Sequence, residues 1–501
     1  MTSSTVPGTH PEQLRGRLAG LRDRDWRMLI GGQLTRGHGG RGEVVDPATE
    51  EVLAEVPDTD RQDVAEAVAA AEAAFEGWRR TTPRSRAKLL RGLVDVLEEH
   101  RDEFGFLDAV DSGNPIRGAR GDVSWAVDAV EVLADSALEL CGQTIPATAE
   151  HLHYTSREPY GVVARLVPFN HPLFFSAAKI AAPLLAGNTV VLKAPDQTPL
   201  SPLRLGELLA DCLPPGVVNV VAGTGAVAGD ALVRHPRVRR VAFIGSVPTG
   251  RGIQRAAAET GVKTVSLELG GKNPMLVFPD ADPAAAAASA LAGMNFNTQG
   301  QSCGSTSRLL VHESLAADIV GAVVAGVETI RVGSPLDEAT DMGPLVSRRH
   351  HDHVTELVRT GVEQGATVAT GGATPDGSTF ERGYWLAPTV FTGVTPGMRI
   401  ATEEIFGPVL SVLTWRDEEE AVALANAVDY GLTASIWTDD LRTAHRVARR
   451  IDAGYLWING VSRHFWGTPF GGFKDSGVGR EEGAEELLSF TQTKTINVLL
   501  G

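Results

Sequence analysis

The chain has 501 residues, 43% of them hydrophobic and 22% charged, with a formal net charge of −16. This length exceeds what one hydrophobic core usually supports, so the composition predicts a globular protein of two or three packed units and argues against disorder. The negative charge repels nucleic-acid phosphates and anionic lipids, which argues against both classes of partner.

Three cysteines, Cys141, Cys212 and Cys303, are too few for a disulfide framework and favour a reducing, cytoplasmic location. The first residues contain no apolar stretch typical of a signal peptide, and no uncharged apolar run is long enough to span a membrane. The most apolar region, residues 162–192, is interrupted by Arg165 and Lys179. We expect it to be buried core.

The N-terminal quarter begins with a polar, Arg-rich arm over residues 1–25. Short alternating runs between turn signals predict strands within residues 26–56. Apolar residues at helical spacing then predict helices over residues 63–78 and 85–106.

From residue 187 to 268 strand and helix patterns alternate, which predicts a doubly wound parallel sheet. The predicted strands are 189–192, 217–221, 238–244 and 264–267, and the predicted helices are 202–213, 225–235 and 249–260. A second α/β series follows Gly270-Gly271, with strands at 275–278 and 307–311 and a helix at 283–293. We expect a second domain to begin there.

Near the end of the chain, the pattern predicts a short helix within residues 485–495 and a strand over residues 492–500. An unpaired terminal strand is an edge that invites pairing with another chain. A homodimer or homotetramer is therefore expected.

Cys303 follows Gly300-Gln301-Ser302 in a glycine-flanked turn that suits an exposed nucleophile. A lone cysteine is more often a buried structural residue, so this interpretation depends on its context.

Two other segments supply that context. Glu268 ends an apolar strand just before a glycine pair, where partial burial would raise the pKa of its carboxyl toward neutrality and make it a base. Asn170 lies between Pro168 and Pro172, where its amide could donate to an oxyanion. A surface glutamate and an ordinary asparagine turn are the alternatives.

Together with four further segments, these three resemble the aldehyde dehydrogenase superfamily over about residues 46–498. The further segments are NTVVLKAPDQTP at 188–199, FIGSVPTG at 243–250, EEIFGP at 403–408 and PFGGFKDSG at 469–477. The fold expected is α/β, a doubly wound parallel-sheet cofactor domain plus a second α/β catalytic domain and a small β bridging element. Residues 1–145 and 160–270 are assigned to the first, 271–480 to the second, and 146–159 with 481–501 to the bridge, which in relatives includes a hairpin near residues 154–164.

The resemblance implies a mechanism in which the Cys303 thiolate attacks an aldehyde carbon. The Asn170 side chain and the Cys303 backbone N–H would hold the oxyanion, and hydride would pass to NAD. Water activated by Glu268 would then hydrolyse the thioester. Lys179 is placed in the same catalytic set, and no metal is expected.

The resemblance also implies a dinucleotide site. Gly245, Ser246 and Gly250 form a turn at the start of a predicted helix, where backbone N–H groups favour a pyrophosphate. The other residues assigned to the cofactor are Lys193 and Asp196 at the ribose, Glu404 and Phe406 at the nicotinamide, and Gly225 and Gly270. Asp196 departs from the commoner Glu, but either carboxylate repels a 2′-phosphate, so NAD is expected and NADP is less favoured.

A wide apolar pocket is predicted because Ala178 stands where many relatives have a bulky Trp, while Phe169 and His171 replace commoner residues beside Asn170. The residues expected to line it are Phe174, Phe175, Ala178, Phe296, Ser302, Phe465 and Trp466. Such a pocket suits an aromatic or medium-chain aldehyde, although these aromatic residues could equally belong to the core.

Three alternatives stay open. A CoA-acylating semialdehyde dehydrogenase would resolve the acyl-enzyme with a thiol, but such relatives tend to lack a carboxylate at the position of Glu268. A non-redox cysteine esterase would not need the dinucleotide segments. A protein that keeps the fold without turnover would not need Cys303, Glu268 and Asn170 together.

Overall fold

The computed structural model describes residues 11–500. It confirms the α/β class, with two mainly parallel sheets that are each covered by helices on both faces. A small antiparallel sheet lies outside them.

The helices of the described residues are α1 (Pro11–Asp23), α2 (Arg61–Arg79), α3 (Pro83–Glu99), α4 (Arg101–Ser112), α5 (Ile116–Asp135), α6 (Pro172–Leu185), α7 (Leu200–Cys212), α8 (Asp230–Arg234), α9 (Val247–Thr260), α10 (Pro283–Gly293), α11 (Ala316–Glu328), α12 (Arg348–Glu363), α13 (Arg399–Thr402), α14 (Glu418–Asn426), α15 (Leu441–Ala448) and α16 (Ala484–Ser489).

The strands of the same residues are β1 (Met28–Ile30), β2 (Gln33–Thr35), β3 (Gly40–Val45), β4 (Val52–Asp58), β5 (Thr144–Ile145), β6 (His151–Pro159), β7 (Val162–Leu166), β8 (Thr189–Lys193), β9 (Val218–Val221), β10 (Val238–Gly245), β11 (Thr264–Leu269), β12 (Pro274–Val277), β13 (Arg308–His312), β14 (Thr367–Thr370), β15 (Thr389–Thr392), β16 (Val409–Trp415), β17 (Tyr430–Gly431), β18 (Thr433–Trp437), β19 (Tyr455–Ile458), β20 (Phe473–Lys474), β21 (Gly477–Val478) and β22 (Thr491–Leu499).

The first sheet has the strand order β2-β1-β9-β8-β7-β10-β11-β21. Its strands from β9 to β11 are parallel, and antiparallel strands complete both edges. One face packs against α3, α5 and α6, and the other packs against α2 and α9. Because both faces are buried, β7 and β8 consist mainly of apolar residues, as expected for a covered parallel sheet.

The second sheet has the order β14-β15-β16-β13-β12-β18-β19, and β14 is its antiparallel strand. Helices α10 and α11 cover one face, while α12, α14 and α15 cover the other. Strand β21 follows this sheet in sequence but pairs with β11 of the first sheet. The chain therefore passes between the two sheets twice near the carboxyl end of β11. It leaves the first sheet directly after β11 and returns to it at β21. The domain boundaries stay a prediction.

Several predicted elements differ in extent from the observed ones. The helix predicted over residues 85–106 is two helices, because the chain turns at His100, which ends α3 and precedes α4. The helix predicted over residues 225–235 begins with a π-helical turn at Gly225–Gly229. Part of the predicted arm is α1, and residues 1–10 lie outside the described part of the chain.

The hairpin expected near residues 154–164 is wrong. Strand β6 pairs with β5 and β22 in the small sheet, whereas β7 pairs with β8 and β10 in the first sheet. Gly161, with φ of 111°, lies in the turn between these two sheets. The terminal helix also ends at Ser489, earlier than predicted, because Thr491 already pairs with Pro159.

The apolar region at residues 162–192 is buried, as expected, and forms β7, α6 and most of β8. Among the described helices, none combines the length and the apolar character needed to cross a bilayer.

Asn188 connects the first sheet to the end of the chain. Its side chain is fully buried, and its Oδ1 accepts hydrogen bonds from the backbone N–H groups of Tyr160 and Gly161 at 2.7 and 3.2 Å. Its Nδ2 donates to the carbonyls of Pro183 and Phe490 at 3.1 and 2.9 Å. One amide thus satisfies four buried backbone groups from three segments.

We expect Asn188→Ala to lower the free energy of unfolding by about 3 kcal/mol, because it strands buried donors and acceptors. Urea titration followed by fluorescence measures the change. Asn497→Ala on exposed β22 is the control and should shift stability by less than about 0.5 kcal/mol. Equal shifts for the two variants would contradict this role of Asn188.

Candidate active site

The site lies at the carboxyl end of β11, where the chain leaves the first sheet for the second. Glu268 is next to last in β11 and pairs with Gly477 of β21. Its side chain is only 5% exposed, and its Oε1 has no hydrogen-bond partner among the described residues. A buried carboxyl with a free oxygen at a strand end is therefore available for chemistry.

The loop that carries Cys303 depends on a left-handed turn. Gln299 and Gly300 have φ of 56° and 66°, and a Cβ on Gly300 would lie 2.2 Å from the carbonyl oxygen of Gly407. The position thus requires glycine.

Asn273 fixes the other side of this loop. Its Nδ2 donates to the carbonyls of Cys303 and Ser305 at 2.7 and 2.9 Å, and its Oδ1 accepts from the Thr433 N–H at 3.0 Å. The sequence analysis missed this residue. The GGKN run that follows Glu268 was the available signal, because a buried asparagine after a glycine pair commonly binds backbone groups.

Cys303 is partly buried and packs against Leu432, Tyr455, Trp457 and Phe470. The Glu268 carboxyl lies near this thiol, close enough for its negative charge to act on the sulfur. Burial, followed by the negative charge of Glu268, raises the pKa of Cys303 well above its usual value. Burial, together with repulsion from Glu481, likewise raises the pKa of Glu268 to about 8. Near neutral pH both groups are mainly uncharged.

Asn170 approaches the same loop from the start of α6. Its side chain is 4% exposed, and its Nδ2 donates to the carbonyl of Gln301 at 2.9 Å. Its own carbonyl accepts from Asn114 Nδ2 at 2.8 Å, which anchors the backbone. The structure therefore brings Asn170, Glu268 and Cys303 together from three separate segments, with the second amide hydrogen of Asn170 still available.

Lys179 lies in a buried network of charges on the Glu268 side of the site. Its Nζ is 2.9 Å from Glu481 Oε2 and 3.5 Å from Glu486 Oε2, and Arg165 lies 2.8 Å from Glu481. Burial would lower the pKa of Lys179, but the glutamates outweigh it and raise that pKa. Burial would raise the pKa of Glu481, but Arg165 and Lys179 lower it to about 2. Lys179 is thus a fixed positive charge in this network.

The turn predicted to bind phosphate lies between β10 and α9. Gly245 ends β10, Ser246 precedes α9, and a Cβ on Gly250 would lie 2.8 Å from Leu269, so this glycine lets α9 pack closely on β11. The Ser246 side chain makes no capping hydrogen bond to the helix and instead contacts Thr249 Oγ1 at 3.0 Å. The N–H groups of the first turn therefore remain available to an anion.

Lys193 at the end of β8 forms an ion pair with Asp196. Asp196 Oδ2 also accepts from the Gly225 N–H at 2.9 Å, and the Asp196 side chain is partly exposed. The two residues predicted for the ribose, Lys193 and Asp196, thus lie together with Gly225 at the start of the π-helical turn.

Glu404 is held against the glycine pair after β11. Its Oε1 accepts from the Gly271 N–H at 2.9 Å, and a Cβ on Gly270 would overlap its carboxyl. Burial raises the pKa of Glu404 to about 7. Phe406 has φ of 54°, and its carbonyl accepts from His350 Nε2 at 2.7 Å, which holds this unfavourable backbone conformation.

The predicted pocket residues separate into groups. Phe174, Phe175 and Ala178 are buried on α6, and Phe174 stacks on Trp125 with ring centres 4.0 Å apart. Trp466 lies beside Trp125, whereas Phe465 is 52% exposed. Ser302 is partly buried next to Cys303. Phe296 packs inside the core under the second sheet, apart from these rings.

Further aromatic residues, which the sequence analysis missed, lie next to these rings. We call the surface formed by Trp125, His464, Phe470 and Tyr455 the aromatic wall. His464 lies 5.1 Å from Trp125 and 4.8 Å from Phe470, measured between ring centres. Since Phe470 and Tyr455 pack with Cys303, an aromatic surface runs from Trp125 to the thiol. The residues from Asn459 to Trp466 gave no helix or strand pattern, so only the structure could place His464.

Comparison with known proteins agrees with this geometry. A profile described as the aldehyde dehydrogenase family matches residues 34–496. The aldehyde dehydrogenase tropH of Talaromyces stipitatus is 45% identical over 92% of this chain and 90% of its own length. The phenylacetaldehyde dehydrogenase of Pseudomonas fluorescens is 42% identical over 94% and 95%. The NAD+ complex of an aldehyde dehydrogenase from Bacillus cereus superposes with a TM-score of 0.93 at 40% identity, covering 97% and 99%.

We expect Glu268→Gln to speed alkylation of Cys303 by iodoacetamide about tenfold at pH 9. The neutral amide removes the negative charge that raises the pKa of the thiol, so the thiolate fraction increases. Peptide-resolved mass spectrometry measures the rate, and exposed Cys141 in the same sample is the internal control. Equal Cys303 rates in both proteins would contradict the coupling.

Proposed function

The chain belongs to the aldehyde dehydrogenase family of oxidoreductases, and from this premise we propose that it oxidises an aldehyde to the carboxylic acid with NAD. The Cys303 thiol beside the buried Glu268 carboxyl carries the proposal. The NAD+ complex of the Bacillus cereus relative supports the choice of cofactor.

The first step is addition of the Cys303 sulfur to the aldehyde carbon. The thiol proton passes to the nearby Glu268 carboxylate. Direct transfer between neighbouring groups avoids carrying an unpaired charge through a buried site. The carbonyl oxygen of the substrate becomes the oxyanion of a thiohemiacetal.

Two donors are available to this oxyanion. The free amide hydrogen of Asn170 is one, and the backbone N–H of Cys303, which donates to no acceptor among the described residues, is the other. Both are held in place before reaction, Asn170 by Gln301 and Asn114, and the loop by Asn273. Preorganised donors of this kind each lower the barrier by about 3 kcal/mol.

The dinucleotide would be held by the phosphate turn together with Lys193, Asp196, Gly225 and Glu404. These groups combine free helix N–H groups with exposed and half-buried carboxylates. When bound, NAD supplies the acceptor for the hydride that leaves the thiohemiacetal carbon, so that a thioester remains on Cys303.

Glu268 acts a second time after the thiol proton has left it for solvent. Its carboxylate takes a proton from water as the oxygen attacks the thioester carbon, and the departing sulfur of Cys303 takes that proton back when the acid is released. The Lys179 charge lowers the pKa of Glu268, while Glu481 raises it, so the network tunes this base toward neutral pH. Lys179 serves this step from a distance, as a positioning charge.

The substrate is proposed to be an aromatic or medium-chain aldehyde. The aromatic wall between Trp125 and Cys303 supports this assignment, because stacked and edge-on rings favour a flat apolar ligand. The similarity to a phenylacetaldehyde dehydrogenase points the same way.

The protein is further proposed to be cytoplasmic and to form a dimer or tetramer. Strand β22 supports an oligomer, since β6 covers one of its edges and the other edge remains open among the described residues.

Cys303→Ser should abolish NADH formation from benzaldehyde, and Glu268→Gln should lower kcat by about 100-fold or more. In the glutamine variant a burst of one NADH per active site should precede the slow phase, because the thiol can still lose its proton to solvent and form the thioester, but water attacks the thioester slowly. Wild-type activity should rise as the pH passes about 8, since only the Glu268 carboxylate accepts a proton. Stopped-flow absorbance and intact-protein mass measure these effects.

The same assay separates the alternatives. Faster product release and an acyl-CoA product on adding coenzyme A would favour an acylating enzyme. Ester hydrolysis without NADH formation from any aldehyde would favour a cysteine esterase. Full activity of Cys303→Ser would contradict the proposed nucleophile.

Asp196→Ser should raise kcat/KM with NADP relative to NAD about tenfold, because it removes a negative charge near the expected 2′-phosphate. Steady-state kinetics with both cofactors measure the ratio. Asp211→Ser, at an exposed position of α7, removes the same charge elsewhere and should leave the ratio unchanged. An unchanged ratio in Asp196→Ser would remove Asp196 from the ribose site.

A further inference from the structure

Two histidines near the candidate active site are each anchored by a carboxylate. His171 Nδ1 lies 2.8 Å from Asp122 Oδ2, and His464 Nδ1 lies 2.9 Å from Glu482 Oε2. Each carboxylate orients its ring by accepting the Nδ1 hydrogen. The mechanism proposed above uses neither histidine.

Both imidazoles contact the same tryptophan. Their ring centres lie 6.3 and 5.1 Å from Trp125, and both rings are steeply inclined to the indole plane. Trp125 also stacks on Phe174, so the two polar rings meet an otherwise apolar surface. His464 also contacts Phe470, which packs with Cys303. The pair therefore lies along the wall that leads to the thiol.

The second nitrogen of each ring is free. Among the described residues, Nε2 of His171 and of His464 has no hydrogen-bond partner, and neither belongs to the polar atoms that are buried without one. Both atoms therefore reach open space. The cost of placing two mostly buried imidazoles in an aromatic wall is offset if a ligand group satisfies these nitrogens.

Resting on the proposed function, we propose that His171 and His464 recognise a hydroxyl group on the ring of an aromatic aldehyde whose carbonyl reaches Cys303. With Nδ1 donating to a carboxylate, Nε2 is an acceptor in the neutral ring and a donor in the protonated ring. A hydroxyl can pair with either form, because it both donates and accepts. A methyl group pairs with neither, and a carboxylate tail pairs only with the protonated form.

The experiment compares kcat/KM with NAD for two pairs of aldehydes of matched size, 3- and 4-hydroxybenzaldehyde against 3- and 4-methylbenzaldehyde. The intrinsic reactivity of each aldehyde is the same with every variant, so the change of the hydroxy-to-methyl ratio on mutation measures the contact. We expect His464→Phe or His171→Phe to lower this ratio about tenfold for one ring position, mainly through KM.

Two variants control for structural damage. His464→Gln keeps hydrogen-bonding capacity and should retain part of the ratio that His464→Phe loses. His445→Phe on exposed α15 is the matched control and should leave the ratio unchanged.

The outcomes separate this inference from the proposed function. If methylbenzaldehydes are oxidised but neither His464→Phe nor His171→Phe changes the ratio at either ring position, the hydroxyl site is wrong and the proposed function stands. If no aldehyde in the panel yields NADH, the proposed function itself fails. A ratio lost in His464→Phe and kept in His464→Gln supports the hydroxyl site.

Discussion

A thiol and a carboxyl lie close together in a place where burial disfavours a charge on either of them. Burial raises the pKa of both Cys303 and Glu268, and the negative charge of Glu268 raises the pKa of Cys303 further. The pair is therefore most stable when it holds its protons. Reactivity must then come from what enters the site, since a carbonyl carbon or a nearby positive charge favours the thiolate that the protein alone suppresses. A nucleophile kept in this form is protected from oxidation between turnovers.

The rest of the architecture brings this pair together. Glu268 comes from the first sheet, and the cysteine loop packs on the second, so their separation depends on how the two sheets join. Backbone groups and amide side chains make that connection, with β21 crossing to β11 and Asn273 tying the cysteine loop to β18. Amides suit this task because they satisfy buried backbone groups without adding charge near a carboxyl that must change its protonation state.

Much of the fold followed from local pattern. The alternating elements between residues 187 and 311 were predicted within a few positions, because strands buried on both faces and amphipathic helices have distinct periodicities. The hairpin error arose because two consecutive strands, β6 and β7, belong to different sheets, which no local pattern reveals. Similarly, Glu268, Cys303 and Asn170 could be predicted because each lies in a recognisable sequence motif. Asn273, Glu481 and His464 matter only through partners that are remote in the chain, as in the pairing of Glu481 with Arg165 and Lys179.

The last segment of the chain carries a consequence for control of activity. Glu481 adds to burial in raising the pKa of Glu268, and Glu481 and Glu486 both pair with Lys179. Only a few residues later the same backbone becomes the open-edged strand β22. Asn188 fixes the backbone just before β22 by donating a hydrogen bond to the carbonyl of Phe490. Any chain that docks along this strand would restrict the backbone bearing those carboxylates. Oligomer formation and the pKa of Glu268 would then be thermodynamically linked. Dilution of the protein into single protomers would be accompanied by a change in that pKa.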